Sequence, residues 1–255
     1  EQNNKREVNL NDNMLGSYLG PEYSQDEIEK ELIKVGANFE VLKEDDLVNK
    51  TAKYLSEEKA IGWFQGRMEF GPRALGNRSI LGDPRSDKMQ KNLNLKVKFR
   101  ESFRPFAPSI LIEDLKEWFD LEEESPYMLL VSNVKKDKII EMKDHEKNLF
   151  GIEKLNIKRS IIPAVTHVDY SARIQTVHKE RNLKYYNLIK KFKEITGCPI
   201  LVNTSFNVRG EPIVNTPTDA FNCFMGTELD YLVIGNCILD KTKQNPELKQ
   251  NYKNK

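Results

Sequence analysis

Glycine and arginine alternate in one short stretch of the chain, between residues 66 and 79. Its members are Gly66, Arg67, Gly71, Arg73, Gly76 and Arg78. Glycine lets the backbone turn sharply and approach a ligand closely, and the planar guanidinium fork of arginine suits phosphate and carboxylate. The stretch indicates an oxyanion site, with a tight turn whose arginines face water as the alternative. It is not a P-loop, because Asn77-Arg78 stands where that motif requires Lys followed by Ser or Thr.

The same region carries an unusual share of the charge. Residues 67–104 hold ten basic and four acidic residues, a charge of +6, whereas the whole chain has +1; six of its 11 arginines lie there. Near the end of this stretch, Lys98, Arg100 and Arg104 alternate with Phe99 and Phe103. We expect the aromatic side chains to anchor the segment while the cations point into a cleft. A surface patch of salt bridges is the alternative.

Polar side chains also follow a predicted strand near the end of the chain. Asn203, Ser205 and Asn207 alternate, so all three could face one side, and ligands bind at the carboxyl ends of strands in open α/β sheets. A simple polar turn is equally compatible with this pattern. Arg173 lies between two apolar neighbours, and a buried arginine needs an anionic partner. His167, in the same region, is more typical of a hydrogen-bonded core histidine than of a catalyst.

Composition excludes several protein classes. The 255 residues are 38% hydrophobic and 31% charged, which is typical of a globular protein with a substantial core. The apolar stretches have the length of strands and fall short of the ~18 residues that a membrane-spanning helix needs. No secretion leader is evident, so we expect a cytoplasmic protein without a membrane partner. The three cysteines and three histidines lack the spacings of a disulfide framework or a metal site.

Capping signals and hydrophobic spacing predict the elements that position these residues. Ser24 and Glu27 form a capping box for a first helix, and Asp45 or Asp46 is a candidate cap for a second. A long helix is expected from Leu183 to Gly197. Further helices are predicted after Ser86, at Asp114 and at Thr216-Pro217, and strands at 39–42, 60–64, 108–112, 127–134, 161–165, 172–177, 199–202 and 231–239.

The irregular alternation of these strands and helices predicts an α/β (α+β) fold, an open twisted mixed sheet with helices packed on it. We expect one domain over residues 24–240. Residues 1–23 are predicted to be a linker that remains from a junction with another domain. Residues 241–255 are predicted to be a polar, disordered tail.

Four motifs, in this order, resemble those of a known family. They are Gly-Pro-Arg-Ala-Leu-Gly-Asn-Arg-Ser, Lys-x-Arg-Glu-x-Phe-Arg-Pro-Phe-Ala-Pro, Val-Thr-His-Val-Asp followed by Ala-Arg-Ile-Gln, and Asn-Thr-Ser-Phe-Asn. Over about residues 60–240 the chain resembles the carboxy-terminal domain of the NodU/CmcH-type O-carbamoyltransferases. That domain is similar to the YrdC family, which pairs Lys-x-Arg with a later Ser-x-Asn, here residues 98–100 and 205–207. Tyr170-Ser171 departs from the pattern, since the family is expected to have Gly-Thr there.

The resemblance implies a YrdC-like fold and an activity. It implies that this domain makes carbamoyl-adenylate from carbamoyl phosphate and ATP, with Mg²⁺. Because the reaction gathers several phosphate groups, it needs a dense set of cations. The residues implied to hold carbamoyl phosphate or carbamate are Lys98, Arg104, Arg173, Asn203 and Ser205. Those implied to act on the nucleotide are Arg73, Arg78, Arg100 and Asn207.

The resemblance also implies a partner. An amino-terminal domain of the actin-like ATPase fold, expected to be absent from these 255 residues, would transfer the carbamoyl group to an acceptor hydroxyl. Two alternatives remain open: a stand-alone YrdC-like enzyme that makes threonylcarbamoyl-adenylate for tRNA modification, and a non-catalytic RNA-binding module. The nearly neutral charge and the absence of an RNP1-like motif argue against a nucleic-acid partner. The long Phe-Gly-Pro-Arg-Ala-Leu-Gly motif favours the O-carbamoyltransferase branch.

Overall fold

One sheet of eight strands forms the frame of the protein, and two further strands pair separately. The structure is a computed structural model that describes residues 12, 14–155 and 157–250. The strands are β1 (Glu40–Val41), β2 (Ile61–Phe64), β3 (Arg78–Gly82), β4 (Ala107–Leu111), β5 (Val131–Asn133), β6 (Ser171–Arg173), β7 (Gln175–Val177), β8 (Ile200–Ser205), β9 (Tyr231–Ile234) and β10 (Cys237–Asp240). The main sheet has the order β1-β10-β9-β2-β3-β8-β4-β7, and β5 pairs with β6. In the main sheet β2–β9 and β4–β7 are parallel, and the other neighbours are antiparallel.

The helices begin and end largely where local signals place them. Ser24 Oγ accepts the backbone N–H of Glu27 at 3.3 Å and the Glu27 carboxylate accepts that of Ser24 at 2.8 Å, so the predicted capping box is confirmed. Gly197 ends the long helix with a φ of 76°. Within the described ranges, no helix is long and apolar enough to cross a membrane. The helices are α1 (Gln25–Lys34), α2 (Glu44–Ser56), α3 (Met89–Asn92), α4 (Leu115–Trp118), α5 (Asp144–Lys147), α6 (Gly151–Leu155), α7 (Leu183–Thr196) and α8 (Pro217–Gly226).

Packed residues cover the main sheet on both faces. Gly62 and Trp63 are neighbours on β2, so they face opposite sides of the sheet, and both are buried. On one side, a Cβ at Gly62 would lie 2.6 Å from the Phe206 ring, so only glycine fits there. On the other, Trp63 Nε1 donates to the Gly76 backbone oxygen at 2.8 Å, which anchors the glycine- and arginine-rich loop on the sheet. The loop is therefore seated directly on the core.

The predicted mixed α/β class is confirmed, but several local predictions are wrong. Residues 161–165 form no strand; Pro163–Val165 is a 3₁₀ turn, consistent with the missing N–H of Pro163. The single strand predicted over 231–239 is a hairpin of β9 and β10 that reverses at Gly235, whose φ is 55°. Lys43 precedes α2 as its N-cap, so Asp45 and Asp46 lie inside the first helical turn, where their charges favour the helix dipole.

The end of the described chain is more ordered than predicted. Residues 241–243 and 246–248 form 3₁₀ turns, and the buried Gln244 side chain donates to the Asn38 backbone oxygen at 2.8 Å. Disorder is therefore wrong for residues 241–250, while 251–255 lie outside the described residues, as do 1–11 and 13 of the predicted linker. The division into linker, domain and tail stays a prediction.

Gly76→Ala should destabilise the protein by about 2–5 kcal/mol, because the substitution combines an unfavourable backbone conformation with a steric clash. Its φ is 108°, and a Cβ there would lie 2.3 Å from the Tyr185 ring. Gly197→Ala is the matched control, since its φ is 76° but nothing lies within 4 Å; it should cost about 1–2 kcal/mol. Urea unfolding of both variants measures the difference. Equal losses would contradict the proposed packing of the loop on α7.

Candidate functional site

The ammonium group of Lys98 ties together the carboxyl end of β8. Its Nζ donates to Asn207 Oδ1 at 2.7 Å, to the Asn207 backbone oxygen at 3.0 Å and to Ser205 Oγ at 3.2 Å, and it also contacts the Ser205 backbone oxygen. Ser205 Oγ donates in turn to Asn207 Oδ1 at 2.7 Å. The structure thus brings together Lys98, Ser205 and Asn207, the three residues that the Lys-x-Arg and Ser-x-Asn motifs pair.

Lys98 is held before any ligand binds. Its side chain is 4% exposed, and burial lowers the pKa of Lys98 to about 7, with the charge of Arg100 acting in the same direction. An ammonium has three N–H donors, and four protein oxygens surround this one. A ligand oxygen can therefore reach Lys98 only by replacing one of these partners.

Asn94 shapes the segment that carries Arg100 and Arg104. The fully buried Asn94 side chain donates to the backbone oxygens of Ser102 at 3.1 Å and Arg104 at 2.8 Å. It also accepts a hydrogen bond from Arg100 Nε at 2.6 Å. Arg104 lies outermost, with its side chain 57% exposed and 3.4 Å from the Glu101 carboxylate. Asn94 therefore fixes Arg100, whereas Arg104 is open to solvent and accessible to a ligand.

The glycine- and arginine-rich loop is organised by a buried carboxylate, which the sequence interpretation missed. Glu69 Oε1 accepts the backbone N–H groups of Leu75 at 2.6 Å, Asn77 at 2.8 Å and Arg78 at 3.3 Å. Burial raises the pKa of Glu69, and the backbone N–H groups of Asn77 and Leu75 and the charge of Arg78 oppose this shift. The signal in the sequence was a single acidic residue amid the arginines.

Arg78 points inward and holds the loop together, instead of facing solvent. Its side chain is fully buried, with the guanidinium 3.5 Å from the centre of the Phe64 ring. The guanidinium donates to four backbone oxygens, those of Pro21, Gln65, Gly66 and Asn77, at 2.6–3.2 Å. Direct contact with nucleotide phosphates, as the resemblance implies for Arg78, would require these bonds to break. That role stays a prediction.

Arg73 and Arg173 lie close together without an anionic partner. Each has a buried Nε that makes no hydrogen bond, and neither forms an ion pair with any described residue. Burial lowers the pKa of Arg173, and the charge of Arg73 lowers it further. Two neighbouring cationic side chains that make no hydrogen bond or ion pair to the described part of the chain form a ready site for an oxyanion.

Asn203 and Gln175 connect this pair of arginines to the sheet. Asn203 Nδ2 donates to the Ala74 backbone oxygen at 3.0 Å and to Gln175 Oε1 at 2.8 Å. Gln175 Nε2 donates to the Leu75 backbone oxygen at 2.7 Å. Asn203 Oδ1 is buried without a hydrogen-bond partner among the described residues. Asn203 thus positions the residues beside Arg73 and does not bond to the Lys98 cluster, although it shares a face of β8 with Ser205.

Tyr170 lies where the family is expected to have glycine. Tyr170 has a φ of 66°, the left-handed conformation that glycine adopts at least cost. Glycine at this position would therefore relieve strain. His167 is exposed and pairs with Asp169, with 3.0 Å between Nδ1 and Oδ1, so it is neither a core histidine nor part of the arginine pair.

Residues 17–21 run alongside the loop and belong to the same structure. The backbone N–H of Phe70 donates to the Ser17 oxygen at 2.7 Å, and that of Met68 donates to the Pro21 oxygen at 2.9 Å. Tyr18 Oη donates to the Leu75 backbone oxygen at 2.8 Å. The segment that was predicted to be a remnant of a junction therefore supports the candidate site.

Comparison with known proteins identifies the family. Residues 52–241 match the family described as "Carbamoyltransferase C-terminus". The chain belongs to this family. The resemblance inferred from the four motifs is thereby confirmed for most of the chain.

Relatives in this family are much longer than this chain. An uncharacterized protein of Synechocystis sp. is 55% identical over 98% of this chain and 41% of its own length. The nodulation protein NolNO of Sinorhizobium fredii is 43% identical over 90% of this chain and 32% of its own. The 3'-hydroxymethylcephem-O-carbamoyltransferase of Streptomyces clavuligerus is 35% identical over 71% of this chain and 30% of its own length. The chain thus spans about a third of the length of these relatives.

Among solved structures, the chain is similar to full-length HypF in its phosphate- and nucleotide-bound form. The TM-score is 0.44 at 16% sequence identity, covering 72% of this chain and 20% of HypF. This likeness is too low to bear on the fold or the function.

Inorganic pyrophosphate should stabilise the protein by occupying the space between Arg73 and Arg173. At ten times the dissociation constant, linkage gives about 1.4 kcal/mol, or roughly a 3–6 °C rise in Tm. Arg173→Met should lose this rise while its Tm without pyrophosphate stays equal or increases, because one of two repelling charges is gone. Thermal unfolding with and without pyrophosphate measures both effects. An unchanged rise in Arg173→Met would show that the anion binds elsewhere.

Lys98 should make stability depend on pH. The unfolded chain keeps this lysine protonated up to its ordinary pKa of 10.5, whereas the folded protein releases the proton near pH 7. Between these values the unfolded state binds more protons, so the free energy of unfolding rises with pH. Relative to Lys98→Met, the unsubstituted protein should gain roughly 1–2 kcal/mol between pH 7.5 and 9. Urea unfolding of both proteins at the two pH values tests this, and a constant difference would contradict it.

Proposed function

We propose that this chain carries out the adenylate-forming step of an O-carbamoyltransferase, making carbamoyl-adenylate from carbamoyl phosphate and ATP. The observation that carries the proposal is the neighbouring pair Arg73 and Arg173, which makes no ion pair with any described residue, in a chain of the carbamoyltransferase family. Two adjacent guanidinium groups without a carboxylate are costly unless an oxyanion joins them. Carbamoyl phosphate and ATP both supply such oxyanions.

The proposed reaction balances in two steps. Water converts carbamoyl phosphate into carbamate and inorganic phosphate. A carbamate oxygen then attacks the α-phosphorus of ATP, which forms a new P–O bond. The bond from this phosphorus to the oxygen that bridges to the β-phosphorus breaks, and pyrophosphate leaves with the electron pair. Because negative charge gathers at every stage, preorganised cations supply the main stabilisation.

The described contacts suggest a division of labour. Arg173, Lys98 and Arg104 would hold carbamoyl phosphate or carbamate, with the Ser205 hydroxyl as a hydrogen-bond partner. Asn203 would hold the loop close to the same ligand, and its own Oδ1 atom, which has no partner among the described residues, would lie near it. The nucleotide would then lie against Arg73, Arg100 and Asn207, while Arg78 would act on it through the loop that it holds.

The proposed Mg²⁺ would arrive with the nucleotide. Over the residues that the structure describes, no three His, Cys, Asp or Glu side chains converge as a metal site. Mg²⁺ commonly retains several waters and binds through substrate phosphates, which fits this arrangement. When bound, it would neutralise charge on the phosphates, and the arginines would still orient them.

The transfer step is proposed to need a partner domain, in keeping with the greater length of the relatives. An amino-terminal domain would receive the carbamoyl group and pass it to an acceptor hydroxyl. Phe70 is 72% exposed and Leu15 66% exposed, and backbone hydrogen bonding links their two segments. Such an exposed apolar patch beside the arginine-rich loop suits a docking surface for that domain.

The test is pyrophosphate release from ATP and Mg²⁺. We expect release with carbamoyl phosphate and none with threonine plus bicarbonate, which are the substrates of the tRNA-modifying alternative. Release only with threonine and bicarbonate would assign the chain to the tRNA-modifying branch instead. Tight RNA binding at physiological salt without affinity for ATP would support the RNA-binding alternative and overturn the enzyme.

Arg173→Ala should reduce carbamoyl phosphate-dependent pyrophosphate release by roughly 10²–10³-fold, because one charged contact to the reacting groups is lost. Lys88→Ala is the control, since Lys88 is an exposed cation of the same basic region; its rate should be nearly unchanged. Initial rates, together with thermal unfolding to verify folding, measure the effect. Similar losses in both variants would mean that general basicity, rather than the arginine pair, determines the rate.

A further inference from the structure

A cavity outside the candidate site lies at the end of the sheet where β2 and β9 begin. Its volume is about 620 Å³, within the usual ~300–1,000 Å³ of small-molecule sites. The end of α8, the start of β9 and the 3₁₀ turns after β10 form most of its wall. Phe99, Tyr231 and Pro246 supply its accessible apolar surface, with the buried Met225 and Leu229 behind them.

Some of the lysines around this cavity have hydrogen-bond or ion-pair partners and others do not. Lys96 pairs with Glu228 at 3.2 Å, and Lys241 donates to the Thr227 backbone oxygen at 2.9 Å. Lys59 and Lys249 also line the cavity, and neither side chain has a partner among the described residues. The rim therefore presents two free cations.

The acidic residues of the same wall are occupied. Asp230 Oδ2 accepts the backbone N–H of Ala60 at 2.8 Å. Asp240 Oδ1 accepts both the backbone N–H and the hydroxyl of Thr242, at 2.8 and 2.7 Å. These carboxylates are hydrogen-bonded within the protein, and neither forms an ion pair with Lys59 or Lys249.

We propose that this cavity binds a small amphipathic anion, with an apolar, preferably aromatic body and one carboxylate, sulfonate or phosphate group. The body would pack against Phe99, Tyr231 and Pro246, and the anionic group would meet Lys59 and Lys249. Neither the apolar wall nor a pair of exposed lysines would suffice alone. Together they select a ligand by both shape and charge.

The cavity is separate from the candidate active site, yet the two share one segment. Phe99 lines the cavity, while the preceding Lys98 bonds to Ser205 and Asn207 at the opposite end of the sheet's central strands. Phe99 has a φ of 48°, so its backbone is held in an unfavourable conformation. The binding proposal does not depend on the proposed carbamoyl chemistry, because it uses none of the residues assigned to that reaction.

Fluorescence titration with 8-anilinonaphthalene-1-sulfonate tests the proposal. The unsubstituted protein should bind this anionic probe, and the double variant Lys59→Gln/Lys249→Gln should bind it about fivefold more weakly or worse. The matched control Lys88→Gln/Lys190→Gln removes two exposed charges elsewhere and should change little. N-phenyl-1-naphthylamine, which lacks the sulfonate, should not distinguish the two double variants.

Hydrogen exchange locates the bound probe. Protection by 8-anilinonaphthalene-1-sulfonate should appear at residues 225–231 and 96–99 and be absent from the loop at 66–79. Protection confined to other segments, equal weakening in both double variants, or no binding at all would overturn the proposal. Because these measurements need no substrate, their outcome does not depend on whether the protein releases pyrophosphate.

Discussion

Glu69 places one carboxylate oxygen among the backbone N–H groups of Leu75, Asn77 and Arg78, and the arginine-rich loop takes its shape from these hydrogen bonds. Burying a carboxylate is costly unless hydrogen bonds replace the lost water. Here the backbone N–H groups of Leu75, Asn77 and Arg78 provide those bonds. The guanidinium of Arg78 completes the arrangement by donating to the carbonyl groups on the other side of the loop. The loop and its buried charges therefore stabilise each other.

Buried polar side chains also hydrogen-bond to the backbone at the other parts of the candidate site. Lys98 bonds to the end of β8, Asn94 bonds to the segment of Arg100 and Arg104, and Asn203 bonds to the loop beside Arg73. In each case a buried polar side chain satisfies backbone groups of an irregular segment. Segments held in this way keep their cations in place before a ligand binds, which is what preorganised electrostatic stabilisation requires, although a ligand of Lys98 would still have to replace one of its protein partners.

Arg73 and Arg173 are the exception, and the exception is informative. The buried cations Lys98 and Arg78 have carbonyl, amide or hydroxyl oxygens around them, whereas the half-buried Arg73 and Arg173 lie next to each other and make no ion pair with a described residue. Repulsion between them works against folding, and proteins tolerate such strain mainly where function uses it. In a member of the carbamoyltransferase family, an oxyanion of the substrates is the natural group to relieve it.

Sequence alone determined the mixed α/β class, the capped helices α1, α7 and α8, and the four motifs that identify the family. These features rest on local rules: a capping box, a terminal glycine and residue types at fixed spacing. Tertiary structure decided which arginines stay free. Arg73 and Arg78 look alike in the motif, but Arg78 follows the loop inward onto Phe64 while Arg73 remains beside Arg173. It also decided the partners of Glu69, Asn94 and Gln175, and the hairpin turn at Gly235. Each of these depends on contacts between residues far apart in the chain, which spacing along the sequence does not encode.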